Sequence, residues 1–149
     1  MNRKAVEVGL KANGVLTVEN DSNMISFQAA VTAIYAEDGV LTVAFADSTS
    51  AEPESYLILQ QEIPRVPGDE SDDYYFEISG RSMSGEGGFK DAYFDGDDLV
   101  VTFAEDIVKK YSSRGLRIVG VKLTCDVAEL KLALHNVFDN TRCSFDAQQ

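Results

Sequence analysis

The chain has 149 residues, 44% of them apolar, with 13 lysines and arginines against 25 aspartates and glutamates and a formal net charge of −12. That length fits one domain (1–149) and can bury a core without disulfide or metal staples, and the apolar share excludes wholesale disorder. The charge opposes nucleic acid and anionic membranes and draws basic partners in, although an acidic surface also serves solubility alone.

No apolar run approaches the ~20 residues of a membrane span. The opening MNRKAVEVGLKANG lacks the continuous apolar stretch of a signal peptide, so a cytoplasmic protein is expected. Cys125 and Cys143 have no CxxC spacing. Reduced thiols are the default for such a pair, with a bridge between them left open.

In chain order, residues 4–19 (KAVEVGLKANGVLTVE) alternate apolar and polar on both sides of Asn13-Gly14, a strong hairpin signal, and residues 1–23 read as an extra N-terminal hairpin. Residues 24–37 (MISFQAAVTAIYAE) read as one long strand. Ile25, Phe27, Ala29, Val31, Ala33 and Tyr35 share its buried face, and Ser26, Gln28 and Thr32 its polar one. Glu37-Asp38-Gly39 turns the chain into a returning strand, 40–46. A polar loop (47–55) leads to the strand YLILQQEI at 56–63. Residues 64–73 (PRVPGDESDD) form a second loop holding Asp69, Glu70, Asp72 and Asp73, either a solvated acidic run or a contact surface.

Further strands are expected at 74–79, 89–95 and 99–103. The first two are separated by a loop with Gly85, Gly87 and Gly88, whose glycines permit a bulge or tight turn, and the last two by Asp95-Gly96-Asp97-Asp98. Residues 104–113 suit a short helix, with Glu105 and Asp106 early, Lys109 and Lys110 late and Gly115 as its stop. A last strand is expected at 116–124. The best helix follows, opened by Asp126 with Glu129 three residues on, and with Val127, Leu130, Leu134, Val137 and Phe138 on one face. Residues 139–149 read as a tail, with Phe145 open to tucking back. Hairpin following hairpin argues for an α+β, mostly antiparallel β domain: a bent sheet with the C-terminal helix packed on one face.

No catalytic or metal-binding constellation stands out. His135 is the only histidine, and its wide spacing from the two cysteines all but excludes a structural zinc site. Asp95, Asp97 and Asp98 fit a hairpin turn better than a calcium loop, and Gly85-Glu86-Gly87-Gly88 lacks the lysine and hydroxyl of a phosphate loop. A non-enzyme without cofactor or metal is expected.

The runs VLTVAFAD (40–47), YLILQ (56–60) and YFEISGRSMSGEGG (75–88), in that order and spacing, resemble the immunity protein 10 family of bacterial polymorphic toxin systems. The likeness spans about residues 30–138 and leaves the first ~25 residues and the tail outside the family core. It implies a mostly-β protein that binds and neutralises a toxin encoded beside it, and it implies no catalytic residues.

An inhibitor of this kind needs a scaffold and a complementary surface, and an acidic one associates quickly with a basic toxin. The candidate toxin contacts are Asp69, Glu70, Asp72, Asp73, Glu86 and Asp91, with Tyr74 or Phe89 as an aromatic anchor where exposed. Solubilising acids and core aromatics are the competing account of the same residues. An acidic secretion chaperone, or a small ligand-binding or enzymatic β domain, are the other functions weighed, and a homodimer is compatible with any of them.

Overall fold

In the computed structural model, residues 23–64 and 74–146 are described. The N-terminal hairpin expected around Asn13-Gly14 and the four-acid loop lie outside them. The strands are β1 (Met24–Gln28), β2 (Val31–Glu37), β3 (Val40–Ala46), β4 (Tyr56–Glu62), β5 (Tyr75–Ile78), β6 (Ser84–Glu86), β7 (Phe89–Asp95), β8 (Asp98–Phe103), β9 (Gly115–Val119) and β10 (Ser144–Asp146). The helices are α1 (Glu105–Tyr111) and α2 (Val127–Phe138).

The domain is α+β and mostly antiparallel, but its strands divide between two five-stranded sheets instead of forming one. One is an antiparallel meander, β2-β3-β4-β5-β6. The other is mixed, β1-β9-β8-β7-β10, with β1 parallel to β9 and β10 parallel to β7 at its two edges.

The sheets are joined where the chain leaves one for the other. Between β1 and β2 the crossing is made at Ala29 and Ala30, whose amides donate to Val119 O of the mixed sheet and Ala46 O of the meander, at 2.9 and 2.8 Å. One residue thus serves each sheet, so no buried amide is stranded by the switch. The single strand expected over 24–37 is therefore two, and the side-chain parity inverts across the alanines. Phe27 and Ala29 point to the core as expected, but in β2 it is Ile34 that packs inward, opposite the fully buried Val43. Val31, Ala33 and Tyr35, expected on the buried face, lie on the outer one.

The second crossing follows β6, the short edge strand into which part of the expected glycine loop folds. Gly88 takes a φ of +100°, and a Cβ there would come within 2.8 Å of Ile107 Cγ1, so the linker seats α1 by having no side chain. Helix α1 is ended by Ser112, in the left-handed conformation, before Gly115 is reached. Gly115 instead opens β9, where a Cβ would stand 2.1 Å from Val101 O. The strand expected to reach residue 124 stops at Val119, because Gly120 turns the chain with a φ of +77° into a 3-10 turn at Val121–Leu123.

Helix α2 starts as expected: the Asp126 carboxylate accepts from Glu129 N at 3.0 Å. It buries Leu130, Ala133, Leu134, Val137 and Phe138 and packs against β3, β4 and β10. Gln61, turned inward from β4, donates to Val137 O at 3.0 Å and ties the helix to the meander. The core between the sheets is rich in rings, with Phe89 5.4 Å from Tyr74, 5.0 Å from Phe76 and 5.8 Å from Phe103. Part of the expected tail belongs to this core. Cys143 is buried, and Phe145 on β10 meets Phe94 and Phe138 at 6.1 and 6.2 Å.

Candidate functional site

The residues singled out from sequence do not come together. Asp69, Glu70, Asp72 and Asp73 lie outside the described residues. Tyr74 and Phe89, considered as aromatic anchors, are each 2% exposed and belong to the core. The Tyr74 hydroxyl accepts the Phe89 N–H at 2.9 Å, which satisfies a buried amide where β7 begins. Neither ring can reach a partner. Glu86 is exposed on the edge strand of the meander, whereas Asp91 sits half-buried on the outer face of the mixed sheet, where Thr102 Oγ1 donates to it at 3.3 Å.

Strand pairing assembles a different set of residues on the outer face of the meander. Its cross-strand rows are Glu37, Val40 and Glu62; then Tyr35, Thr42, Gln60, Tyr75 and Glu86; then Ala33, Ala44, Ile58, Glu77 and Ser84; then Val31, Ala46 and Tyr56. Among the described residues no helix covers this face, since α2 lies on its inner side. Tyr35 is 52% exposed. The alanines leave a shallow depression of about 480 Å³ bounded by Ala44, Ala46, Pro53, Tyr56 and Ile58. Alanines, Ile58 and Tyr56 share the central strands with Thr42 and Gln60, Tyr35 stands exposed on the edge strand β2, and the exposed carboxylates of Glu37, Glu62 and Glu86 lie at the margins.

Glu77 is the polar centre of this face. Tyr56 and Tyr75 both donate their hydroxyls to its carboxylate, Tyr75 to Oε1 at 2.6 Å and Tyr56 to Oε2. These two hydrogen bonds, with a smaller contribution from Arg81, hold the Glu77 carboxyl below its ordinary value of 4.5. The same bonds raise both tyrosines above 10.0, because an ionised phenol would lose the bond and face the carboxylate. At neutral pH the group is a fixed anion.

The outer face of the mixed sheet is built otherwise. Arg117 of β9 bridges Asp95 at 3.0 Å and Asp98 at 2.8 Å, and the second oxygen of Asp98 accepts from Gly120 N at 2.9 Å. Asp95 and Asp98, two of the three acids weighed from sequence as a calcium ligand set, are thus engaged by the protein's own groups. Beside them a groove of about 690 Å³ is lined by Lys90, Asp91, Tyr93, Arg114 and Arg117 over Val100 and Val108. A bulge between Phe89 and Asp91 shifts the register there.

Both cysteines are free, and burial pushes the Cys143 thiol up to about 12, which leaves it unreactive. His135 is exposed on α2. Among the described residues no three His, Cys, Asp or Glu side chains are grouped to hold a metal, and no helix is long and apolar enough to cross a membrane.

Sequence reasoning missed Tyr35, Tyr56, Ile58, Tyr75 and Glu77. A signal was present: YLIL is apolar on both parities, so one of its two sets must face away from a single core. No protein family and no curated sequence matches the chain.

Proposed function

We propose that the protein is an immunity protein, which binds a cognate bacterial toxin and neutralises it in the cytoplasm of the producing cell by covering part of its surface, without catalysis. The observation that carries this reading is the outer face of the meander, which no helix covers among the described residues. Tyrosine and aliphatic side chains around a shallow hollow, with acids at the rim, are the composition of a protein-binding surface. A net charge of −12 suits a basic toxin, since long-range attraction speeds encounter with a partner of opposite sign. The sequence likeness to the immunity protein 10 family supports the same reading from another side.

The test is co-expression of the tagged protein with the product of the neighbouring reading frame, followed by pull-down and a growth assay. A neighbour that is toxic alone, and harmless when held in a stable complex, is the expected result. An innocuous neighbour that does not bind overturns the proposal.

A further inference from the structure

We infer that Glu77, clamped between Tyr56 and Tyr75, is the receptor for an arginine side chain of the protein partner. The inference rests on the reading of the meander's outer face as a protein-binding surface, and it names the chemistry the face selects. Each Glu77 oxygen accepts one tyrosine hydroxyl, and a carboxylate oxygen has two lone pairs, so one acceptor site on each remains. A carboxylate with one acceptor site left on each oxygen suits the fork of a guanidinium, which binds carboxylates bidentately; an ammonium is a point donor and gains less from that arrangement.

The clamp also removes the usual entropic cost of a surface glutamate. Such a side chain ordinarily loses rotamer freedom when it forms an ion pair, but here two hydroxyls already fix it before a partner arrives. The tyrosine rings beside it offer aromatic surface to a planar cation. Glu77 pairs across the sheet with Ile58, which bounds the 480 Å³ depression together with Tyr56. An arginine seated on Glu77 therefore sets its neighbours over an apolar hollow, the combination of charge and buried area that marks a binding hot spot. Within the described chain, the cation acting on Glu77 is Arg81, exposed in the β5–β6 turn and not in an ion pair with it.

The experiment is an NMR titration of the full chain with N-acetyl-arginine amide, its lysine counterpart and the uncharged citrulline counterpart. Saturable shifts of Tyr56, Tyr75 and Glu77 are expected with arginine, weaker ones with lysine and none with citrulline. E77Q, whose fold is checked in the same spectra, is expected to weaken arginine binding about tenfold, the scale of a lost charge-assisted bidentate pair. The Y56F/Y75F double variant, which keeps the charge but frees the carboxylate, is expected to fall between the two. Absent or unsaturable shifts in the native protein, or equal binding of arginine and citrulline, overturn the inference.

Two failures stay separate when the neighbouring gene product is tested as well. A partner that E77Q binds as tightly as the native protein does removes the arginine site and leaves the immunity reading. Arginine binding at Glu77 with no complex from the neighbour does the reverse.

Discussion

Both outer faces carry acids, and they use them in opposite ways. On the mixed sheet, Asp95 and Asp98 are turned onto Arg117, so the charges are satisfied within the chain and hold a hairpin turn against β9. On the meander, Glu77 is satisfied by two neutral hydroxyls, which fix its position and leave its charge in place. An acid neutralised by its own chain contributes to stability, whereas an acid pinned by neutral donors keeps its field for something outside. The comparison teaches that net charge alone does not locate a surface. What matters is which carboxylates the fold has already answered.

That contrast can be broken by substitution, beginning with the core both faces share. Phe89→Ala, on a ring buried among Tyr74, Phe76 and Phe103, is expected to cost about 3–5 kcal/mol in chemical denaturation; a surface-like cost would return Phe89 to the list of partner contacts. Arg117→Ala removes the cation that bridges two aspartates and is expected to cost about 1–2 kcal/mol, with binding of the proposed partner unchanged. A loss of binding at full stability would move the interface to the mixed sheet. Tyr35→Ala should do the opposite, shifting stability by no more than about 0.5 kcal/mol while weakening the complex roughly tenfold in a binding titration.

The smallest effect is the most diagnostic of the clamp. Because the folded Glu77 carboxyl titrates below its ordinary value, its contribution to stability is full above about pH 4.5 and fades as pH falls through the lowered value. Denaturation of the native protein and E77Q should therefore differ at pH 6 and converge as pH falls below the ordinary carboxylate range. The tyrosines give the reverse sign: their raised values confer stability that is present below pH 10.0 and lost above it. Native and E77Q curves that stay parallel at every pH would show that the hydroxyls do not hold the carboxylate.

Much of the fold was legible from local pattern. The bounds of β3 and β7 fall where alternation and turn residues place them, and the start of α2 follows from Asp126 and Glu129, because a cap is a contact between residues three apart. The β2–β3 and β7–β8 hairpins were readable for the same reason. The candidate site was much less legible. Of the residues named in advance, Glu86 lies on the proposed face, Asp91 lies on the other sheet, and Tyr74 and Phe89 are core.

What the sequence by itself determined was the class of the protein: strands in hairpin order, one capped amphipathic helix, enough apolar residues for a core and an acidic balance. Each of these depends on near neighbours or on sums over the chain. Only the tertiary structure decided which side of each strand faces out. A period-two pattern identifies two faces without assigning them, and the exchange of sheets at Ala29 and Ala30 reverses the assignment for Val31, Ala33 and Tyr35. It also brought Tyr56, Tyr75 and Glu77 together from two strands, because a carboxylate's partners across a sheet are set by register, which no local stretch of sequence contains.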